Sequence, residues 1–198
     1  MSETYKAYPE YRESCVERLG EIPLHWNTNK FRYLFSLSKG LTITKADLKD
    51  EGIPCVSYGE VHSKYGFEVA PSIHPLRSVD ESYLKSSANS LLNEGDFVFA
   101  DTSEDLEGSG NFTQLTERET LFAGYHTIIA RPISENFPRF LAYLIDSPLF
   151  RIQTRLAVKG VKVFSITQAI LRNLDLWIPP LPEQIQIAKF LDLSLIHI

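Results

Sequence analysis

The residues of this chain best suited to chemistry are cations in its C-terminal third, and the chemistry they suit is neutralising phosphate. Arg151 and Arg155 stand one helical turn apart, Lys159 and Lys162 flank Gly160, and Ser165 and Thr167 follow closely. A glycine between two lysines lets backbone come close to a partner. Ser165 and Gln168 have the spacing of a capping box, whose free first-turn amides could equally hold a phosphate. Between Arg139 and Arg172 six basic residues face one acid, Asp146, and between Lys30 and Lys49 five face one acid, Asp47. The second run offers Lys39, Thr42 and Lys45 around a turn at Gly40. Residues 80–119 hold ten Asp and Glu against Lys85 and Arg118 alone. The net charge of -5 argues against a partner for polyanions when charges are mixed. Charges segregated in this way can still give one surface a positive field. The plainer alternative is that the runs disperse in three dimensions and the lysine turn is merely solvated.

Catalytic constellations are missing from the sequence. It has no Asn/Asp-Pro-Pro-aromatic run for amino methylation, no glycine-rich cofactor turn, no acid and lysine arrangement of metal-dependent nucleases, and no G-x-S-x-G elbow. His25, His62, His74, His126 and His197 show no metal spacing. The acidic stretch 101–110 misses the calcium-loop register and reads as a flexible loop. Cys15 and Cys55 give neither a disulfide framework nor a metal pair, which fits a reducing compartment. No apolar run approaches the roughly 20 residues of a spanning helix. The expectation is a cytoplasmic protein that is not an enzyme, with no cofactor, no metal and no membrane partner.

The elements that must position these residues are legible in part. With 198 residues, 43% of them apolar, the chain can bury one sizeable core. Residues 1–12 have no hydrophobic period and read as an arm that packs late or not at all. Strands are expected at 31–37, at 55–58, at 97–100 and at 124–130, and a short helix within 79–93. Cys55 reads as a small core residue, and His25 as a structural hydrogen-bonding residue beside the anchor Trp26. Pro138 opens one helix. Ser147-Pro148 caps and opens the next, with Leu149, Ile152 and Leu156 inward and Arg151 and Arg155 on the outer face. Leu174, Leu176 and Ile178 alternate with Asp175 and Trp177 as a half-buried strand, which Pro179-Pro180 stops. Pro182 and Glu183 then open a helix.

Two stretches together carry a resemblance. Pro179-Pro180-Leu181-Pro182-Glu183-Gln184 followed by Ile187-Ala188-Lys189-Phe190-Leu191 resembles the segment that closes each target-recognition domain in the DNA-specificity subunits of Type I restriction-modification systems. At the other end, Tyr8, Pro9, Tyr11, Ser14, Val16, Glu17, Leu19, Gly20, Ile22, Pro23, His25 and Trp26 match the opening segment of the same family. Cys15 stands where that family usually has Gly, and Arg18 where it usually has Trp.

The resemblance covers residues 8–192. It implies an α+β fold, with a twisted mixed β-sheet flanked by helices and followed by the start of a long C-terminal helix. The implied boundaries are an N-terminal arm at 1–13, a DNA target-recognition domain at 14–180, and a conserved dimerisation or spacer helix at 181–198, truncated or ending in a foreign tail. It implies a component that reads double-stranded DNA and directs a partner adenine methyltransferase and an endonuclease subunit to the site. A second half-subunit is a further candidate partner, through Leu181, Gln184, Ala188 and Leu191, with Leu195 on the same heptad stripe. In that family recognition loops begin near Gly59-Glu60, which adds Ser57 and Tyr58 to the candidate DNA contacts. The alternative is a protein-interaction scaffold without DNA readout.

Overall fold

In strand Phe97–Ala100 all four side chains are buried. Phe97 and Phe99 enter one core cluster and Val98 and Ala100 another, as the period-two alternation of a strand covered on both faces requires. The structure, a computed structural model, describes residues 8–133, 135–160 and 162–196, except for the side chains of 195 and 196. Phe97–Ala100 lies in the middle of a five-stranded sheet ordered Phe35–Lys39, Thr127–Pro132, Phe97–Ala100, Phe112–Leu115 and Phe67–Val69. Only the last pair is parallel. A four-stranded sheet runs Arg77–Val79, Ile53–Val56, Leu121–Ala123, Leu91–Leu92, with a parallel pair at its centre. Both sheets are mixed, so the expected α+β fold holds.

The helices are α1 (Tyr58–Ser63), α2 (Tyr83–Ser86), α3 (Pro138–Asp146), α4 (Pro148–Ala157), α5 (Gln168–Asn173) and α6 (Leu181–Ile196). Helices α3 to α6 contribute to the largest core, in which Phe31, Phe35, Phe97, Phe99, Phe112 and Phe150 meet. Phe31 stacks on Phe35 at 4.2 Å between ring centroids and meets Phe150 at 6.2 Å. A second cluster, with Val56, Val98, Leu121 and Ile129, joins the two sheets. A third holds Leu41, Val79, Phe122 and Cys55, and burial pushes the Cys55 thiol pKa up to about 12. No helix among the described residues is long and apolar enough to cross a membrane.

Several elements differ from the sequence expectations. Phe31–Tyr33 is a 3₁₀ turn rather than strand, because burying both Phe31 and Leu34 requires a spacing of three; the strand begins at Phe35. Strand Ile53–Val56 stops before Ser57, which caps α1. The strand expected from Gly124 begins at Thr127, leaving Gly124, Tyr125 and His126 as a turn. On α4 the inward residues are Phe150 and Thr154, while Leu156 is 61% exposed. Phe150 fixes that rotation by packing against Phe31. Of the expected arm, Tyr11–Glu13 pairs antiparallel with Glu21–Pro23, and residues 1–7 lie outside the described residues.

The hairpin between those two strands explains the glycine usual at the position of Cys15. Cys15 has φ +57° and Arg18 φ +68°, the left-handed region in which a Cβ is unfavourable.

Candidate nucleic-acid interface

The two basic runs meet across one hydrogen-bonded strip. Lys39 ends its strand opposite Ile128, and the next residue, Gly40, donates its N–H to Thr127 O at 3.2 Å. A Cβ on Gly40 would lie 2.1 Å from Gly124 O, so only glycine lets these turns touch. From the turn after Gly124 the strip passes to Asp101, whose N–H donates to His126 O at 3.1 Å. Asp101 O in turn accepts from Ile166 N at 2.9 Å, and Thr102 pairs with Ser165. Ser165 N reaches Lys159 O at 3.4 Å. A groove of about 280 Å³ opens between Lys39, Thr42, Asp101, Tyr125 and His126.

Among the expected DNA contacts, Lys39, Thr42, Lys45, Lys159, Gly160, Lys162 and Thr167 are exposed. The ammonium groups of Lys39, Lys45, Lys159 and Lys162 have no ion pair among the described residues, whereas Lys30 pairs with Asp175 and Lys49 with Asp80, each at 2.7 Å. Gly160 is held to glycine by close approach, since a Cβ there would meet Val163 O at 2.0 Å. Thr167, not Ser165, caps α5, accepting from Ile170 N at 3.2 Å. Ser165 is drawn instead into the short strand Phe164–Ser165. Val161, part of the expected lysine turn, lies outside the described residues.

Three expected contacts are turned inward. Arg151 is half-buried and donates to Gly110 O and Glu107 O, both at 3.2 Å, and to Asn111 Oδ1 at 2.6 Å. Burial lowers its pKa, Asp146 opposing and Arg155 adding to the effect. Arg155 reaches Glu107 O at 3.4 Å. Both arginines therefore organise the stretch 107–111, which is packed rather than a free acidic loop. Ser57 is fully buried, its side chain and that of Glu60 forming the two halves of a capping box on α1. Tyr58 remains accessible at the start of α1, its ring 5.2 Å from His62. Burial, followed by the charges of Glu104, Asp105 and Asp101, raises the Tyr58 pKa.

The basic run also loses Arg139, which bonds Asp192 Oδ1 at 2.7 Å and Glu68 Oε2 at 2.5 Å and lies over the Phe67 ring. This cluster ties α3 to α6. Gln184 and Ala188, expected to face a partner, are buried in this chain's own core. Gln184 accepts from Phe137 N at 2.9 Å and donates to Asn136 Oδ1 and Pro179 O. Leu181 is exposed and Leu191 half-buried, so of the apolar stripe expected to meet a partner Ala188 alone among the described side chains is fully buried within the fold. The Leu195 side chain, His197 and Ile198 lie outside the described residues.

The residue that sequence reasoning missed here is His126. Its neighbours have the pattern of a strand, yet it sits in the turn with φ +53° and its Nδ1 lies 3.2 Å from Asp101 Oδ1. Gly124 two residues earlier was the available turn signal.

Comparison with known proteins places this geometry. Residues 23–194 match the Type I restriction modification DNA specificity domain family. The chain is 24% identical over 184 residues to the Type I restriction enzyme MjaVIII specificity subunit of Methanocaldococcus jannaschii, covering 91% of this chain and 42% of that protein. Its fold is similar to a chain solved in work on complex assembly and conformational transition of the type I R-M system, with TM-score 0.65 and 16% identity over 91% of this chain and 41% of the other. It is also similar to the HsdS subunit from Thermoanaerobacter tengcongensis, with TM-score 0.62 and 16% identity over 88% of this chain and 38% of that one. The chain thus spans about two fifths of the length of the relatives it matches. With the family match running from Pro23, in the opening hairpin, to Ser194 on α6, the chain belongs to the Type I restriction modification DNA specificity domain family.

Proposed function

We propose that this chain is a DNA-reading target-recognition domain, part of the specificity component of a Type I restriction-modification complex in the cytoplasm. The observation that carries the reading is the backbone strip that links Lys39, through Thr127, His126 and Asp101, to Ser165 and Lys159, with Thr42 on the adjoining groove, within a chain of this family. Unpaired lysines beside a rigid polar turn suit both tasks of a reading surface. The cations fix register on phosphates, and the groove presents side chains to base edges. The domain spans residues 14–180, and α6 begins the segment that joins it to the rest of the assembly.

The chemistry of modification and cleavage then resides in partner subunits, an adenine methyltransferase and an endonuclease, with a second half-subunit as a further partner. The chain itself uses no cofactor. A pure scaffold would leave without a task the exposed Lys39 on the groove and Lys45, Lys159 and Lys162 on neighbouring turns, which have no ion pair among the described residues. Duplex binding followed by fluorescence anisotropy tests the reading, because phosphate contacts make affinity fall steeply as salt rises. A binding constant flat from low to high salt refutes it. Methyl transfer from S-adenosylmethionine by this chain without a partner refutes the recognition-only role.

A further inference from the structure

The turn Gly124, Tyr125, His126 is held from three sides. Tyr58 N donates to Tyr125 O at 3.2 Å, Thr127 Oγ1 donates to Gly124 O at 2.7 Å, and Asp101 N donates to His126 O at 3.1 Å. Within this frame His126 keeps a left-handed backbone, φ +53°, which a side chain adopts at a cost and retains only where its surroundings over-determine it. The imidazole it carries is 62% exposed and borders the groove shared with Lys39 and Thr42. A rigid turn that presents one polar ring to open solvent has the properties of a reading element set on a scaffold.

The partner of that ring sets its chemistry. Asp101 Oδ1 lies 3.2 Å from His126 Nδ1. An ionised carboxylate only accepts hydrogen bonds, so in the neutral ring Nδ1 carries the proton and Nε2 is left as an acceptor. In the major groove the hydrogen-bond donors on base edges are the exocyclic amines, N6 of adenine and N4 of cytosine. Guanine offers only acceptors there, and thymine an acceptor and a methyl group.

We propose that His126 reads one base position, accepting a hydrogen bond from the exocyclic amine of adenine or cytosine, and that Asp101 is the positioning residue that fixes the tautomer. This inference rests on the DNA-reading function proposed above. Lys39, on the same groove, supplies the adjacent phosphate contact rather than base readout.

The test is selection by the full chain from a randomised duplex library at mildly alkaline pH, followed by sequencing of the enriched duplexes. The wild type is expected to enrich a motif with one position restricted to adenine or cytosine. Glycine accepts the left-handed turn, so H126G keeps the backbone while removing the ring. H126G should lose discrimination at that position by about tenfold or more while the other positions and the salt slope stay unchanged. D101A should broaden the same position only, a change that a merely structural role would not produce. Thermal unfolding of both variants checks that the fold persists, and H126N, which tolerates the turn and carries an amide oxygen that also accepts from adenine N6, should keep a preference for adenine at that position. If folded H126G enriches the wild-type motif, His126 does not read a base and the inference is overturned. If the wild type itself enriches no motif and binds duplex independently of salt, the DNA-reading function falls first and takes the inference with it.

Discussion

Trp26 and Glu183 stand 157 residues apart in sequence, and the indole Nε1 of the first donates to the carboxylate of the second at 3.1 Å. His25 Nε2 lies 2.8 Å from the other carboxylate oxygen, and the Tyr8 hydroxyl donates to the same group. Burial pushes the Glu183 pKa up, but the hydrogen bonds from Tyr8, His25 and Trp26 outweigh it and hold the group below its ordinary value. A depressed carboxylate contributes stability above its unfolded pKa and loses it as pH falls through the folded value. E183Q should therefore cost about 1.5–3 kcal/mol at neutral pH, the scale for hydrogen bonds to a charged group. The gap from wild type should close below about pH 4. Urea unfolding at both pH values checks this, and a gap that widens on acidification contradicts the assignment.

Arg151 is expected to behave as a structural residue despite its place in the basic run. Its guanidinium holds Glu107 O, Gly110 O and Asn111 together, so R151A should lower stability by about 1.5–3 kcal/mol. R151K should recover little, because an ammonium cannot reproduce the planar fork. Denaturant unfolding measures both. A stable R151A with weakened DNA binding would instead make it a phosphate contact.

The lysines should show the opposite behaviour. K159A/K162A and K39A/K45A are each expected to leave stability within about 0.5 kcal/mol of wild type, as exposed substitutions do. Each pair should reduce the salt slope of duplex binding by roughly one unit for every phosphate that its ammonium groups neutralise. Anisotropy titrations across a salt series decide this, and unchanged affinity and slope would remove that pair from the interface.

Gly124 is where backbone from three segments meets. A Cβ there would lie 2.0 Å from Ser57 Oγ and 2.8 Å from Cys55 Sγ, both buried. G124A should cost about 1–3 kcal/mol, as overpacking does, and loosen the turn that presents His126. A melting temperature equal to wild type would show that Ser57 can move aside.

What the sequence disclosed, and what it hid, follows from how local each signal is. The buried run Phe97–Ala100, the Pro-led helices α3 and α4, and the strand stopped by Pro179 were readable because composition and proline act within a few residues. Helix α1 was missed although Ser57 and Glu60 form a capping box, since its six residues are too few to show a helical period. The inward turn of Arg151 was hidden because its partners lie some 40 residues away, at Glu107, Gly110 and Asn111. On α6 a heptad stripe was visible, but periodicity alone does not say whether its partner is another chain or this one. Ala188 is fully buried within its own fold. The lysines, by contrast, lay on turns that glycine had already marked, at Gly40 and Gly160.

Among the described residues, strand Asn27–Lys30 finds its partner only in Asp175–Ile178. A ribosome releases the chain from its N-terminus, so this early strand must wait until the distant segment Asp175–Ile178 has emerged before it can pair. Closing so long a segment slows folding, since its entropy is lost before the distant contacts form. Until then the faces that Leu176 and Trp177 will cover stay open to water and to other chains. The interval between synthesis of Lys30 and of Ile178 is therefore the one in which Asn27–Lys30 stays unpaired and those faces stay uncovered.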